Sequence, residues 1–181
     1  GRSLAQMHLQ VQHYFGLDED NYIGSLPQTN SGQGEWHIFF SQCRILPLGK
    51  ILFNTGAFLK SDMLTTEAFC KRSREWFPPE PPALLHGDLW GGNYMISSEG
   101  TASVFDPAIY YGHREMDIGM TKLFGGFDKK FYDAYQEIYP MESNWNQRLP
   151  VAQLYPLMVH AVLFGGHYIN SAREIIRRLA A

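Results

Sequence analysis

The sequence predicts a mainly α-helical domain with one small β-hairpin, and three observations support this fold class. Apolar residues recur at helical spacing from Leu4 to Phe15 and again through the last third of the chain. Two short apolar segments, at residues 94–96 and 102–105, flank a Ser-Ser-Glu-Gly turn. The chain of 181 residues is 45% hydrophobic and 14% aromatic, which suffices for one core. Residues 1–181 are therefore predicted to form a single domain.

The first part of the chain is predicted to hold helices separated by one long loop. Ser3 is a suitable N-cap for the first helix and Gly16 a suitable stop. Residues 17–34 are rich in Gly, Pro, Asn, Asp and Ser and show no sustained period, which is typical of a loop. The predicted helices cover residues 3–15, 35–46 and 61–76. Four prolines within residues 78–82 then end the helical pattern.

The centre of the chain changes to strand-like patterns before the helices return. A short apolar strand is predicted at residues 83–85, immediately before His86. The predicted hairpin, residues 94–105, follows it. The remaining predicted helices cover residues 115–124, 128–138, 150–164 and 171–180.

The composition argues against several classes of protein. The formal net charge is −3 and the 15 lysine and arginine residues are scattered, so no basic stripe is available to bind a nucleic acid. Cys43 and Cys70 have no CxxC neighbour and no His pair at ligand spacing, which argues against a disulfide framework and a zinc site. The sequence has no apolar run of about 18 residues. No membrane partner is expected, and a cytoplasmic location is predicted.

The motif HGDLWGGN, with an aspartate after the hairpin, is suited to phosphoryl transfer. Asp88 and Asn93 have the spacing of the Asp and Asn in the kinase catalytic loop, and Asp106 stands where that pattern has its main metal ligand. Oxygen ligands of this kind suit Mg²⁺. We predict ATP and Mg²⁺ as cofactors, Asp88 as the catalytic base, and Asn93 and Asp106 as metal ligands. Singly, each feature is also typical of an ordinary turn, and their order and spacing together favour the functional interpretation.

The wider stretch resembles one family of small-molecule kinases. Residues 84–93, LLHGDLWGGN, and residues 106–117, DPAIYYGHREMD, are similar to the fructosamine kinases, also called ketosamine-3-kinases, of the protein-kinase-like superfamily. The resemblance covers essentially the whole chain. It implies ATP-dependent phosphorylation of the 3-hydroxyl of a ketosamine, either on a free amino acid or on a protein lysine. The phosphorylated adduct is then unstable, so the implied outcome is deglycation.

The same resemblance suggests roles for residues around the motif. Trp90 is expected to border the substrate or, equally well, to pack the catalytic loop. His86 is expected to lie on the substrate side of the site and to brace the loop. Asp117 and Arg114 are expected to support the site structurally. Residues 113–115 either shape the substrate end of the site or form an ion-pair network.

The N-terminal lobe of the kinase pattern is not found in the sequence. None of the six lysines follows a glycine-rich strand turn, and no GxGxxG motif is present. The chain also begins Gly1-Arg2-Ser3 without an initiator methionine. We expect the C-terminal lobe of the protein-kinase-like α+β fold, with the N-terminal lobe absent, and weak or no activity for the chain alone. The apolar face left by a missing lobe is expected to allow self-association.

Two other functions stay open at this point. The chain could be a truncated binding module that retains the pocket without catalysis. It could also be a relative of the aminoglycoside or choline kinases, although Trp90 and the YYGHRE segment at residues 110–115 argue against that. The sequence does not identify the preferred ketosamine.

Overall fold

Helices make up most of the structure, and short strand pairs lie between them. The structure is a computed structural model that describes residues 1–180. The helices are α1 (Arg2–His8), α2 (Trp36–Phe39), α3 (Leu46–Asn54), α4 (Lys60–Lys71), α5 (Glu115–Leu123), α6 (Lys129–Ile138), α7 (Trp145–Ala152), α8 (Leu154–Phe164) and α9 (His167–Ala180). A π-helical segment, Phe40–Ile45, joins α2 to α3, and a 3-10 turn, Ser73–Glu75, follows α4. The prediction of a mainly helical fold with small strand elements is confirmed.

The strands of residues 1–180 form antiparallel pairs. They are β1 (Asn21–Ile23), β2 (Leu26–Gln28), β3 (Ala83–Leu85), β4 (Tyr94–Ile96), β5 (Ala102–Val104) and β6 (Tyr110–Gly112). β1 pairs with β2, β3 with β6, and β4 with β5. The predicted strand at residues 83–85 and the predicted hairpin are confirmed. The predicted loop at residues 17–34 is wrong in part because it contains the β1–β2 hairpin, and β6 is an additional strand.

The first helix is shorter than its apolar spacing predicts. α1 ends at His8 instead of continuing through residues 3–15, and Val11 forms an antiparallel bridge with Ala83. The chain after α1 therefore runs beside β3. Hydrogen bonds to a strand far along the chain outweigh the local helical period in this segment.

The second predicted helix continues beyond its expected end. The sequence predicts helix over residues 35–46, and the structure continues it through the π-helical segment into α3, which ends at Asn54. Pro47 has no N–H for the carbonyl of Cys43, four residues earlier. The Arg44 guanidinium donates to that carbonyl through Nη1 at 3.1 Å. A side chain thus donates to the carbonyl that the proline cannot bond.

Arg44 is fully buried among aromatic rings. Its guanidinium carbon lies 4.5 Å from the ring centroid of Phe39 and 4.1 Å from that of Tyr110. Tyr155 contributes a third ring at 5.3 Å, and Arg44 Nη2 donates to Asn30 Oδ1 at 2.8 Å. Aromatic faces attract the planar, delocalised cation. Arg44 therefore ties the loop before α2 to the core between α2, β6 and α8.

The helices of the last third largely follow the sequence prediction. The predicted helices at residues 115–124 and 128–138 are confirmed as α5 and α6. The segment predicted as one helix, residues 150–164, belongs to two helices, α7 and α8, with Gln153 between them, and α9 begins earlier than predicted, at His167. Within residues 1–180, no helix combines the length and the apolar content needed to cross a membrane.

A small hydrophobic cluster anchors the centre of the chain to the helices around it. Leu4 and Ala5 of α1, Ile118 of α5 and Tyr135 of α6 pack together with Leu89, and all five are buried. Leu89 lies within the HGDLWGGN motif. The loop that follows β3 is therefore held by its own apolar side chain as well as by polar contacts.

Candidate active site

The loop that follows β3 crosses the segment that follows β5. Ala108 N donates to His86 O at 2.9 Å, and His86 Nε2 lies 3.1 Å from Phe105 O. Phe105 N donates to Asn93 O at 3.1 Å. These contacts bring the three side chains predicted to bind metal or to act as base to one end of the β4–β5 hairpin. Only 2% of His86 is exposed, so its ring lies inside the loop, where its contact with Phe105 O can brace the crossing.

Asp88 and Asn93 are joined by hydrogen bonds. Asn93 Nδ2 donates to Asp88 O at 2.9 Å and to Asp88 Oδ2 at 3.1 Å. Oδ1 of Asp88 accepts no hydrogen bond within residues 1–180. Burial raises the pKa of the Asp88 carboxyl and outweighs the opposing influence of His86 and Asn93, while the charge of Asp106 raises it further. A carboxylate with a raised pKa and one oxygen without an internal partner is suited to accept a proton.

Two residues of the site hold left-handed backbone conformations. Gly87 has φ 81°, and a Cβ there would lie 2.0 Å from Ala108 O, so only glycine fits between the two crossing segments. Asp106 has φ 53°, which is uncommon for a residue with a side chain. Strained conformations of this kind concentrate at functional sites, where the surrounding structure enforces them. The conformation of Asp106 therefore supports a functional use of its exposed carboxylate.

Asp117 holds the loop through both of its carboxylate oxygens. Oδ2 accepts from His86 N at 2.8 Å, and Oδ1 accepts from Gly87 N at 2.9 Å. His8 Nε2 lies 3.1 Å from Asp117 Oδ2, and His8 Nδ1 lies 2.7 Å from Tyr135 Oη. Burial works to raise the pKa of Asp117, but the hydrogen bond and the charge of His8 outweigh it and hold this pKa below its usual value. Asp117 is thus an ionised acceptor for the loop.

His8 is a site residue that the sequence does not reveal. It is fully buried at the end of α1 and reaches a carboxylate 109 residues along the chain. A local pattern gives no signal for such a partner. Its contact with Asp117 means that α1 contributes to the position of the loop.

Trp90 lies two residues after Asp88 with 37% of its surface exposed. Its ring packs over Gly92, where a Cβ would lie 2.3 Å from the indole. The Trp90 ring also contacts Phe124, with centroids 5.8 Å apart, and Phe124 contacts His160 at 4.7 Å. One side of Trp90 therefore packs the loop, as one of its two expected roles requires, and the exposed part remains open to a substrate.

Residues 113–115 form an ion-pair network at the start of α5. Arg114 Nη2 lies 2.8 Å from Glu80 Oε1, and Arg114 Nε donates to both Glu80 oxygens at 3.0 and 2.9 Å. Arg148 Nε donates to Glu115 Oε2 at 2.9 Å. Of the two interpretations left open for this segment, the geometry favours the network. Arg114 therefore fixes the start of α5, the helix that carries Asp117.

The oxygen atoms beside the loop suit a magnesium ion that is shared with a nucleotide. Within residues 1–180, no group of three or more His, Cys, Asp or Glu side chains is placed to hold a metal ion. Mg²⁺ in phosphoryl-transfer sites commonly takes only one or two carboxylates and completes its shell with water and phosphate oxygens. Asp106 and the side-chain oxygen of Asn93, which accepts no hydrogen bond within residues 1–180, provide a partial set of this kind. The residues present therefore fit a magnesium ion of this kind.

Comparison with known proteins identifies similar chains. A family model described as fructosamine kinase matches residues 1–181. A probable ketoamine kinase of Lactiplantibacillus plantarum is 41% identical over 182 residues, which cover 97% of this chain and 64% of that protein. A probable ketoamine kinase of Enterococcus faecium is 39% identical over 176 residues, covering 96% of this chain and 64% of the relative.

A solved structure is also similar to this chain. A crystal structure from Thermobifida fusca, provisionally assigned as a fructosamine-3-kinase, has a TM-score of 0.90 and 39% sequence identity, and covers 98% of this chain and 62% of that one. The chain thus spans 62–64% of the length of these relatives. Because the family model matches the chain along its whole length and the relatives share about two fifths of its residues, the chain belongs to the fructosamine kinase family.

Proposed function

We propose that this chain forms the part of a ketosamine kinase that carries the catalytic loop. The reaction is the ATP-dependent phosphorylation of a sugar hydroxyl on a ketosamine, such as a fructosamine or ribulosamine adduct, and its outcome is deglycation repair. The convergence of Asp88, Asn93 and Asp106 at one end of the β4–β5 hairpin carries this proposal. Family membership supports it.

In this proposal Asp88 accepts the proton of the attacking hydroxyl. Its Oδ1 accepts no hydrogen bond within residues 1–180, and Asn93 holds the other oxygen, so the carboxylate is oriented while one acceptor stays available. The sugar oxygen then forms its bond to the γ-phosphorus as the bond to ADP breaks. Asn93 and Asp106 would hold Mg²⁺, which neutralises charge on the phosphate oxygens.

The remaining predicted residues support this chemistry by position. Asp117 fixes the backbone of the loop through His86 N and Gly87 N, so the base is held in place before substrate binds. Trp90 borders the substrate on the exposed side of the loop. These roles explain why a buried carboxylate and an exposed indole lie close to the same base.

We also propose that the chain corresponds to the C-terminal lobe of a kinase-like fold. It spans 62–64% of the length of its relatives, and it has no glycine-rich phosphate loop in its sequence. Contacts that clamp the nucleotide would then come from residues outside this chain. On this proposal the isolated chain binds Mg²⁺ and ATP weakly and turns over slowly.

The test is ATP-dependent phosphorylation of fructosyl-lysine by the longest natural form of the protein. Asp88→Asn should lower kcat by about 10²- to 10⁴-fold, because the general base is lost, while the exposed control Asp133→Asn should leave kcat unchanged. Phosphate transfer is followed by release of ADP and by mass spectrometry of the sugar. Equal rates for the wild-type protein and Asp88→Asn would remove Asp88 from its role. Tight substrate binding without any transfer would favour the alternative of a non-catalytic binding module.

A further inference from the structure

A row of aromatic side chains leads away from the catalytic-motif loop. Trp90 contacts Phe124 at 5.8 Å between ring centroids, and Phe124 contacts His160 at 4.7 Å. His160 in turn contacts Phe164 at 5.4 Å and Tyr168 at 5.1 Å. The row is open to solvent at both ends, since 37% of Trp90 and 67% of Phe164 are exposed. We call these five residues the aromatic row. It offers a continuous surface that begins two residues from the proposed base.

His160 is held in a single tautomer within the aromatic row. Its Nδ1 lies 2.8 Å from Pro156 O. A carbonyl oxygen can only accept a hydrogen bond, so Nδ1 carries the hydrogen and Nε2 of the neutral ring keeps its lone pair. No group within residues 1–180 donates to Nε2. The ring is therefore fixed in orientation and presents an acceptor.

The surroundings of the aromatic row favour a cation. Asp88, whose Oδ1 accepts no hydrogen bond within residues 1–180, lies two residues before Trp90 and places a carboxylate near one end of the row. The π faces of the row add further negative potential. The ammonium group of Lys122, on the neighbouring helix α5, lies 3.8 Å from the ring centroid of Tyr132, which is not part of the row.

We infer that His160 is a specificity-determining residue that binds the ammonium group of the ketosamine through Nε2, while the aromatic row holds the substituent on that nitrogen. The inference rests on the proposed function and names the part of the substrate that this surface recognises. In a ketosamine the ammonium nitrogen is only a few bonds from the hydroxyl that Asp88 activates, and the ring contacts of Phe124 with Trp90 and with His160 connect the loop of Asp88 to His160. The ammonium N–H donates to Nε2, and the apolar chain of a lysine or another amine lies along the rings.

The experiment compares a ketosamine with a sugar that lacks the amine. Binding of fructosyl-lysine and of fructose is measured by titration calorimetry, and phosphorylation kinetics are measured with ATP. His160→Phe keeps an aromatic ring but removes the acceptor, and His160→Gln restores an acceptor near the Nε2 position. His37→Phe, on α2, is the matched control. Circular dichroism confirms that each variant is folded.

His160→Phe should weaken the binding of fructosyl-lysine by about 10-fold or more, the effect of losing a hydrogen bond to a charged group. KM should rise by a similar factor with a smaller change in kcat, and fructose binding should not change. His160→Gln should recover part of the loss, and His37→Phe should behave as the wild-type protein.

The inference is overturned if His160→Phe binds fructosyl-lysine as tightly as the wild-type protein does, or if fructosyl-lysine and fructose weaken equally. A wild-type protein that binds neither sugar also overturns it. If the wild-type protein binds fructosyl-lysine without phosphorylating it, the proposed function fails, and the calorimetric comparison alone decides the role of His160.

Discussion

Asp117→Asn is the substitution that most directly tests how the loop is held. Asp117 accepts three hydrogen bonds, from His86 N at 2.8 Å, Gly87 N at 2.9 Å and the His8 ring at 3.1 Å. Asparagine has one acceptor oxygen, so its NH₂ group must face one of these buried donors. We expect a loss of about 3 to 5 kcal/mol in the free energy of unfolding. One buried donor loses its acceptor, and the remaining donors face a neutral amide oxygen instead of a charged carboxylate.

Urea denaturation at neutral pH, followed by far-UV circular dichroism, measures this loss. The control Asp133→Asn removes an exposed pair with Lys129 and should change the free energy of unfolding by no more than about 0.5 kcal/mol. A change of less than about 1 kcal/mol for Asp117→Asn would refute the reasoning, since losses of that size are ordinary for surface substitutions.

The pH dependence of the same variant gives a second readout. The pKa of Asp117 is lower in the folded protein than in the unfolded chain, so its ionised form stabilises the fold above the unfolded pKa of about 3.9. That contribution is lost as the pH falls through the lower, folded pKa. The difference in stability between the wild-type protein and Asp117→Asn should therefore narrow on acidification below about pH 4. A difference that stays constant to the lowest pH at which both fold would contradict an ionised Asp117.

Four further predictions follow from the same geometry. Asp88→Asn should raise the melting temperature while lowering kcat, because burial makes the charged form of Asp88 costly and raises its pKa; a lower melting temperature would contradict this. Gly87→Ala should lower the free energy of unfolding by at least about 2 kcal/mol, measured in urea, because its Cβ would meet Ala108 O; wild-type stability would show that the segments can separate. Arg44→Lys should cost about 2 kcal/mol in the same assay, because an ammonium group cannot stack on three rings; an unchanged midpoint would argue against the stacking. The exposed apolar side chains of the β4–β5 hairpin should cause self-association at high concentration, and a monomeric mass by light scattering would contradict that.

The sequence predicts best what is decided by neighbouring residues. Asp88 and Asn93 lie on one loop and a single hairpin separates them from Asp106, so their spacing along the chain nearly determines their spacing in the fold. The helices α5 and α6 were predictable for the same reason, since their apolar residues recur within a few turns. The hairpin turn carries its own Gly100 at φ 80°.

The sequence fails where the deciding partner is remote. Val11 continues an apolar helical period, but its bridge to Ala83 lies 72 positions further along the chain and replaces that helix with an extended segment. The contacts of His8 with Asp117 and of His160 with Phe124 were not predictable, because each joins residues from different parts of the chain. The π-helical segment before α3 depends on how Arg44 is buried, which no local pattern records.

The contact between His8 and Asp117 has a consequence for how the chain folds. The backbone donors of His86 and Gly87 are satisfied only by a side chain about 30 positions downstream, which is itself oriented from the first helix. The loop therefore cannot become ordered as an independent local unit, because closing such long segments requires most of the chain to be in place. The chain should therefore gain its ability to bind ligand in the same cooperative transition in which it folds. Ligand binding would then report directly on the fraction of molecules that are fully folded.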